Sequence, residues 1–224
     1  MDLRPPFPPD FRLLLASQSP RRRSLLKDLG VPYEVVATNA EEAGEGESPA
    51  ALAASNAAAK VRDAVLPPGS LQGAFVLGTD TVVSLAGRVM GKPSSAAEAA
   101  TMIMALSGRT HQVLSGVALL RIAEAGGGAG PGGASAGPGP REGLRVATAA
   151  TDVTFLPLSE AQVEAYVASG EWTDKAGAYG IQGLAGTFVS EIRGEYSNVV
   201  GLPLCLLAQL FRESGFDLVR RQWL

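Results

Sequence analysis

The chain has 224 residues, 46% of them hydrophobic and 18% charged, which suits one globular domain or two small lobes. Nineteen basic against 22 acidic residues give a net charge of −3, so no overall positive field favours a nucleic-acid polymer as partner. One cysteine (Cys205) and one histidine (His111) exclude an intrachain disulfide and a Cys/His zinc site.

The sequence predicts no membrane segment. Residues 1–17 contain only a short apolar run, and no stretch reaches the roughly eighteen apolar residues of a membrane helix. We therefore expect a cytoplasmic protein without a membrane partner.

Strand and helix signals alternate along the chain. In chain order, the predicted strands are residues 12–17, 31–38, 75–85, 112–122, 144–156 and 187–192. The predicted helices are residues 19–29, 48–66, 95–108, 159–169 and 203–214, with capping-box patterns at Ser95-x-x-Glu98 and Ser159-x-x-Gln162. This alternation predicts an α/β or α+β fold with mixed strands.

Residues 126–143 form a Gly/Pro tract that holds nine of the 27 glycines of the chain. The tract has nothing to bury and separates two predicted strands, so it predicts a long flexible hairpin loop within a single domain, 1–224. Its formal GxGxxG at 128–133 is followed by more Gly and Pro instead of a helix, so it does not indicate a dinucleotide site.

A first chemical signal lies at the start of the first helix. Ser19 is placed to cap this helix, Pro20 takes its first position, and Arg21 and Arg22 fall in its first turn. Helix N–H groups and guanidinium groups then converge on one spot, which favours phosphate binding. A solvated basic face is the alternative.

A second signal is the segment 78–81, which the sequence predicts to be a turn at the end of an apolar strand. A carboxylate there, Asp80, suits a metal ligand or a general base; the alternative is a turn aspartate that bonds its own backbone. The nearby segment 87–93 departs from the phosphate-binding loop in spacing. Lys92 and Lys60 can each reach a phosphate; the alternative for each is a lysine that binds no ligand.

A third signal is the polar, glycine-containing segment 174–183. Gln182 there offers a donor and an acceptor that suit the edge of a base, although a surface loop is the alternative. With no second histidine and no GxSxG motif, a serine or cysteine nucleophile is unsupported.

Six segments together resemble the Maf family of nucleoside triphosphate pyrophosphatases, in order and over nearly the whole chain. They are residues 15–22, 78–83, 91–93, 106–111, 174–183 and 196–203. Thr79 departs from the alanine usual in the family, and the Gly/Pro tract reads as an insertion.

The resemblance implies a Maf/ITPase-like α/β fold with a mixed sheet and two lobes around a central cleft, often dimeric. It also implies hydrolysis of a nucleoside triphosphate to monophosphate and pyrophosphate with a divalent metal cation, Mg²⁺ or Mn²⁺. The implied catalytic carboxylate is Asp80, and Glu42 and Asp80 lie near the metal. The implied phosphate-binding residues are Ser17, Arg21, Arg22, Lys60 and Lys92.

Arg21, Thr81 and Gln182 match the subgroup of the family that acts on dTTP and UTP. That subgroup makes normal or modified pyrimidine nucleotides the expected substrates. The alternatives are a 7-methyl-GTP-type pyrophosphatase and a non-catalytic nucleotide-binding regulator of cell division. The presence of Asp80, Lys60 and Lys92 favours an enzyme.

Overall fold

The computed structural model describes residues 4–41, 48–69, 71–123 and 143–224. Glu42 and residues 126–142 of the Gly/Pro tract lie outside these residues. The strands are β1 (Leu13–Leu15), β2 (Glu34–Val35), β3 (Phe75–Leu85), β4 (Arg88–Met90), β5 (Thr110–Arg121), β6 (Leu144–Phe155), β7 (Val189–Arg193), β8 (Phe216–Asp217) and β9 (Gln222–Trp223). The helices are α1 (Pro20–Asp28), α2 (Pro49–Arg62), α3 (Ala96–Leu106), α4 (Glu160–Ala168), α5 (Tyr196–Val200) and α6 (Leu204–Glu213), with 3₁₀ turns at Ala176–Ala178 and Leu184–Phe188.

Within the described part of the chain, seven strands form one mixed sheet. Its order is β2-β1-β3-β5-β6-β7, and β4 pairs with the end of β3. Strand β1 runs parallel to β2 and β3, whereas β3, β5, β6 and β7 are antiparallel neighbours. The predicted mixed α/β class is therefore confirmed. No helix of the described residues is long and apolar enough to cross a membrane.

Strands β5 and β6 pair along their whole length, up to Leu120 opposite Leu144. The Gly/Pro tract therefore connects two strands that are antiparallel neighbours, and its flexible-loop character stays a prediction. The structure does not describe the tract itself.

The prediction of a turn at residues 78–81 is wrong. These residues lie inside β3, where Asp80 pairs with Gly116 of β5 and the ladder continues on both sides. The glycine that indicated a turn serves another purpose. A Cβ on Gly78 would lie 2.5 Å from the carbonyl oxygen of Ala57 in α2, so this position needs glycine because the helix packs closely on the strand.

Gly116 has the same role on the neighbouring strand. A Cβ there would lie 2.0 Å from the carbonyl oxygen of Ala53, also in α2. The two glycines together let α2 lie against β3 and β5 at the level of Asp80. This close approach brings the polar side chains of the helix to the carboxylate.

We expect Gly116→Ala to lower the free energy of unfolding by about 1–3 kcal/mol, because the added methyl group must displace a helix backbone. Denaturant unfolding measures the change. Gly91→Ala is the matched control, since no atom of the described residues lies within 4 Å of a Cβ at Gly91. Equal stability of both variants would show that α2 is not held close to the sheet.

Candidate active site

A cavity of about 510 Å³ lies between the β1–α1 turn, α2, β3, the loop after β4 and the segment 174–182. Its lining includes every described residue that the sequence singled out for the site: Ser17, Arg21, Arg22, Lys60, Asp80, Thr81, Lys92 and Gln182. Residues from distant parts of the chain therefore meet at one site. Glu42, predicted near a metal, lies outside the described residues.

The Asp80 carboxylate is held at both oxygens by one helix. Lys60 Nζ lies 2.6 Å from Oδ1, and Asn56 Nδ2 donates to Oδ2 at 3.0 Å. The side chains of Lys60 and Asp80 are only 13% and 11% exposed, so little water screens the pair. Asn56 and Lys60 are four residues apart, which places them on the same face of α2.

Asn56 is a site residue that the sequence reading missed. The signal was available in the spacing, because a polar residue four positions before a lysine on an alanine-rich helix faces the same way. Only the packing of α2 on β3 shows that this face meets Asp80.

Three acceptors from the described part of the chain hold the Arg22 guanidinium. It donates from Nε to the carbonyl oxygen of Gly201 at 2.8 Å, from Nη1 to Ser17 Oγ at 3.0 Å and from Nη2 to Thr81 Oγ1 at 3.1 Å. Ser17 Oγ also accepts from the backbone N–H of Ser19 at 3.3 Å. The cation at the start of α1 is thus held in one orientation at the cavity.

Helix α1 begins where the sequence predicts, but the predicted capping hydrogen bond is not formed. Ser19 is the N-cap residue and Pro20 the first helical residue, but the Ser19 side chain makes no capping hydrogen bond. With no acidic residue in its first turn, α1 presents Arg21 and Arg22 at its positive end. Cations there oppose the helix dipole, an arrangement that an anionic ligand relieves.

Buried aromatic residues anchor the segment 174–183. Tyr179 Oη lies 2.7 Å from His111 Nε2, and Tyr166 Oη donates to the carbonyl oxygen of Ala178 at 3.0 Å. Gly177 N–H donates to the carbonyl oxygen of Gly91 at 3.0 Å, which joins this segment to the loop that carries Lys92. Gln182 is exposed at the cavity end of the segment.

Lys175 also lines the cavity, and the sequence reading gave it no role. Burial and the neighbouring Arg21 guanidinium lower the pKa of Lys175, against the opposing pull of Glu171 and Asp174. Two cations close enough to repel each other at a cavity wall favour an anionic ligand between them.

The imidazole of His111 is buried and neutral at physiological pH. Burial lowers its pKa from 6.5 to about 4, although the Asp152 carboxylate acts in the opposite direction. His111 therefore supports Tyr179 in an uncharged state, and charging it would disturb the anchor of the segment 174–183.

We expect acid to destabilise the protein through this histidine. Between pH 6.5 and about 4 the unfolded chain binds a proton that the folded chain does not, so stability is full above pH 6.5 and falls as the pH is lowered. The loss by pH 4.5 is about 2–3 kcal/mol. Urea unfolding at pH 7 and pH 4.5 measures it, and His111→Gln should show a shallower pH dependence. An equal dependence in both proteins would contradict the assignment.

The residues present fit a divalent cation that is bound together with a phosphate ligand. Among the described residues, no group of three or more His, Cys, Asp or Glu forms a complete metal cage. Mg²⁺ is commonly held by one or two carboxylates plus substrate phosphates. Asp80 is a carboxylate of this kind, because each of its oxygens keeps a second lone pair beside its bond to Lys60 or Asn56.

Comparisons with known proteins identify the family of this chain. The Maf-like protein family model matches residues 12–214. Proteins named dTTP/UTP pyrophosphatase from Anaeromyxobacter sp. (strain Fw109-5) and Moorella thermoacetica are 45% and 46% identical, over 93% and 92% of this chain and 92% and 96% of theirs. The protein of that name from Thermococcus gammatolerans is 42% identical over 93% of this chain and 100% of its own.

Among solved structures, the Staphylococcus aureus Ham1 protein is 16% identical with a TM-score of 0.38, covering 64% of this chain and 71% of the other. This similarity is too low to support a conclusion about fold or function. The family match spans most of the chain, and the relatives align over nearly their full length. This chain therefore belongs to the Maf family.

Proposed function

We propose that this protein is a pyrophosphatase that hydrolyses dTTP and UTP to the nucleoside monophosphate and pyrophosphate. The strongest support for this proposal is that one cavity combines the Asp80 carboxylate with cations from three separate segments. These cations are Arg21 and Arg22 on α1, Lys60 on α2 and Lys92 after β4. A triphosphate carries about four negative charges, which this set of cations can neutralise. The names of the relatives support the choice of substrate.

In the proposed reaction Asp80 accepts the proton of the attacking water. Lys60 and Asn56 hold the carboxylate by one lone pair on each oxygen, so another remains for this proton. Lys60 and Arg22 stabilise the charge that develops on the phosphate oxygens. Asp80, with oxygens of the substrate, would also hold a divalent cation, Mg²⁺ or Mn²⁺, whose chemistry is to neutralise phosphate charge.

In this proposal the base is recognised by Gln182, which lines the same cavity. Its amide offers an N–H donor and a carbonyl acceptor side by side, which match the adjacent carbonyl and N3–H of uracil or thymine. A purine presents its edge farther out because of the larger ring. Gln182 is neutral, so it lacks the charge that would favour a cationic base such as 7-methylguanine.

We expect Gln182→Glu to reduce the discrimination in favour of UTP and dTTP over ATP by about 1–3 kcal/mol, because the donor is lost and its partner is left unpaired. The discrimination is the ratio of the kcat/KM values. Pyrophosphate release across a panel of nucleotides measures the ratio. Gln18→Glu is the matched control, since Gln18 is an exposed glutamine of the same cavity in the β1–α1 turn. This control should lower all rates alike.

Two results would count against the base-reading role. In one, the wild-type protein cleaves UTP and dTTP no faster than ATP or GTP. In the other, Gln182→Glu changes all nucleotides equally, as the control does.

A further inference from the structure

Behind Arg22, a chain of hydroxyl groups runs into the core of the protein. Thr81 Oγ1, which accepts from Arg22, lies 2.9 Å from Ser115 Oγ, and Ser115 Oγ donates to the carbonyl oxygen of Asn198 at 3.2 Å. We propose that Ser115 is a positioning residue for phosphate binding, which holds Arg22 in place through Thr81. This inference rests on the phosphate-binding role proposed for Arg22.

The chemistry of the groups fixes the direction of every hydrogen bond in this chain. A guanidinium can only donate, so Thr81 Oγ1 must accept from Arg22. A backbone carbonyl can only accept, so Ser115 donates its one hydroxyl proton to the carbonyl oxygen of Asn198. Thr81 must then donate its own proton to Ser115. The result is that a lone pair of Thr81 is always turned toward Arg22.

The sheet register places Ser115 where it can do this. Thr81 on β3 and Ser115 on β5 are directly paired residues, and the side chain of Ser115 is fully buried (0% exposed). Directly paired residues of adjacent strands have side chains on the same face and within contact distance. Ser115 is too deep to touch a ligand, so any effect it has on binding passes through Thr81.

Further hydrogen bonds hold Asn198, the last residue of this series of hydrogen bonds. Asn198 is fully buried on α5, and its Nδ2 donates to the carbonyl oxygen of Val113 at 2.9 Å and to Thr151 Oγ1 at 2.9 Å. Thr151 Oγ1 in turn donates to the carbonyl oxygen of Glu195 at 3.2 Å. The acceptor that orients Ser115 is therefore fixed to β5 and β6.

This arrangement predicts an effect that does not depend on the base. Without the Ser115 hydroxyl, Thr81 loses the acceptor of its proton and is free to rotate its lone pair away from Arg22. The guanidinium then loses one of the three acceptors described above and part of its fixed orientation. Inorganic tripolyphosphate is the suitable probe, because it presents phosphates and has no base.

We expect Ser115→Ala to weaken tripolyphosphate binding about 2- to 12-fold, the range for the loss of one hydrogen bond between neutral groups. Calorimetric titration measures the Kd. KM for UTP should rise by a similar factor with the UTP-to-ATP ratio unchanged. Ser84→Ala is the control, because Ser84 is a buried serine of β3 with no hydrogen bond to Arg22 or Thr81 in the described structure. It should bind like the wild type.

A second pair of variants covers the case in which Ser115→Ala does not fold. Thr81→Val, which removes the middle hydroxyl with little change of shape, should weaken tripolyphosphate binding as Ser115→Ala does, whereas Thr81→Ser, which keeps the hydroxyl, should weaken it less. In an Arg22→Ala background, adding Ser115→Ala should have no further effect, because the two residues act in one chain.

Two outcomes overturn the proposal and can be told apart. If Arg22→Ala weakens binding but Ser115→Ala and Thr81→Val do not, Arg22 binds phosphate without help from the chain, and the proposed function stands. If Arg22→Ala itself leaves tripolyphosphate binding unchanged, the phosphate role of Arg22 fails together with the positioning role of Ser115.

Discussion

Replacing Asp80 with asparagine should lower kcat by about 10²- to 10⁴-fold, with the affinity for UTP changed only a few-fold. The amide keeps the shape of the side chain but cannot accept the proton of water or hold a cation as well as a carboxylate. Lys60 and Asn56 would remain around it, so the walls of the cavity should be preserved. Steady-state pyrophosphate release gives kcat, and binding of a non-hydrolysable UTP analogue gives the affinity.

The control for this variant is Asp63→Asn. Asp63 is exposed at the C-terminal cap of α2, is absent from the cavity lining and should tolerate the same change without loss of rate. If Asp80→Asn kept most of the wild-type rate, Asp80 would not be the catalytic base.

Replacing Lys60 with methionine should lower kcat/KM for UTP by about 10²- to 10³-fold, the usual result of removing one preorganised electrostatic group. The variant removes a cation from the phosphate-binding set and also the partner of Asp80 at 2.6 Å. Lys60→Arg, which keeps the charge but changes its geometry, should fall between the variant and the wild type.

Lys27→Met is the matched control for Lys60→Met. Lys27 lies exposed in the last turn of α1, away from the residues that line the cavity, and its removal should leave kcat/KM unchanged. Similar rates for Lys60→Met and this control would mean that Lys60 only partners Asp80 in the free protein.

The sequence predicted best where the signal is local. The antiparallel strands β3, β5 and β6 appear within two residues of their predicted ends, because their apolar runs are long and bounded by Gly or Pro. Helix α4 carries the predicted capping box, with Ser159 and Gln162 each bonded to the other's backbone. At α3 only half of the predicted box forms: Ser95 Oγ accepts from the N–H of Glu98, but the Glu98 carboxylate accepts from the N–H of Ser94 instead of Ser95.

Short elements held by tertiary contacts gave no comparable signal. Helix α2 ends at Arg62, before the predicted end near Leu66, and only Glu34–Val35 of the predicted second strand pairs in the sheet. The two-residue strands β8 and β9, which pair with each other near the C-terminus, and the five-residue helix α5 were not predicted.

The site residues divide in the same way. Motif positions such as Asp80 and Gln182 could be picked out by residue type and neighbours. Asn56 gave only a partial signal, its spacing from Lys60, and Ser115 gave none. Their roles depend on which strand or helix face meets another, and that follows from packing. Gly78 led to the wrong prediction of a turn, because a glycine that helix packing requires has the same local sequence pattern as a glycine in a turn.

Analysis of the products formed from UTP tests the central claim most directly. The purified protein would be incubated with UTP and Mg²⁺, and the early products separated by anion-exchange chromatography. UMP and pyrophosphate should form in equal amounts, with no UDP or inorganic phosphate at early times. Formation of UDP and inorganic phosphate, or binding of UTP without any turnover, would contradict it.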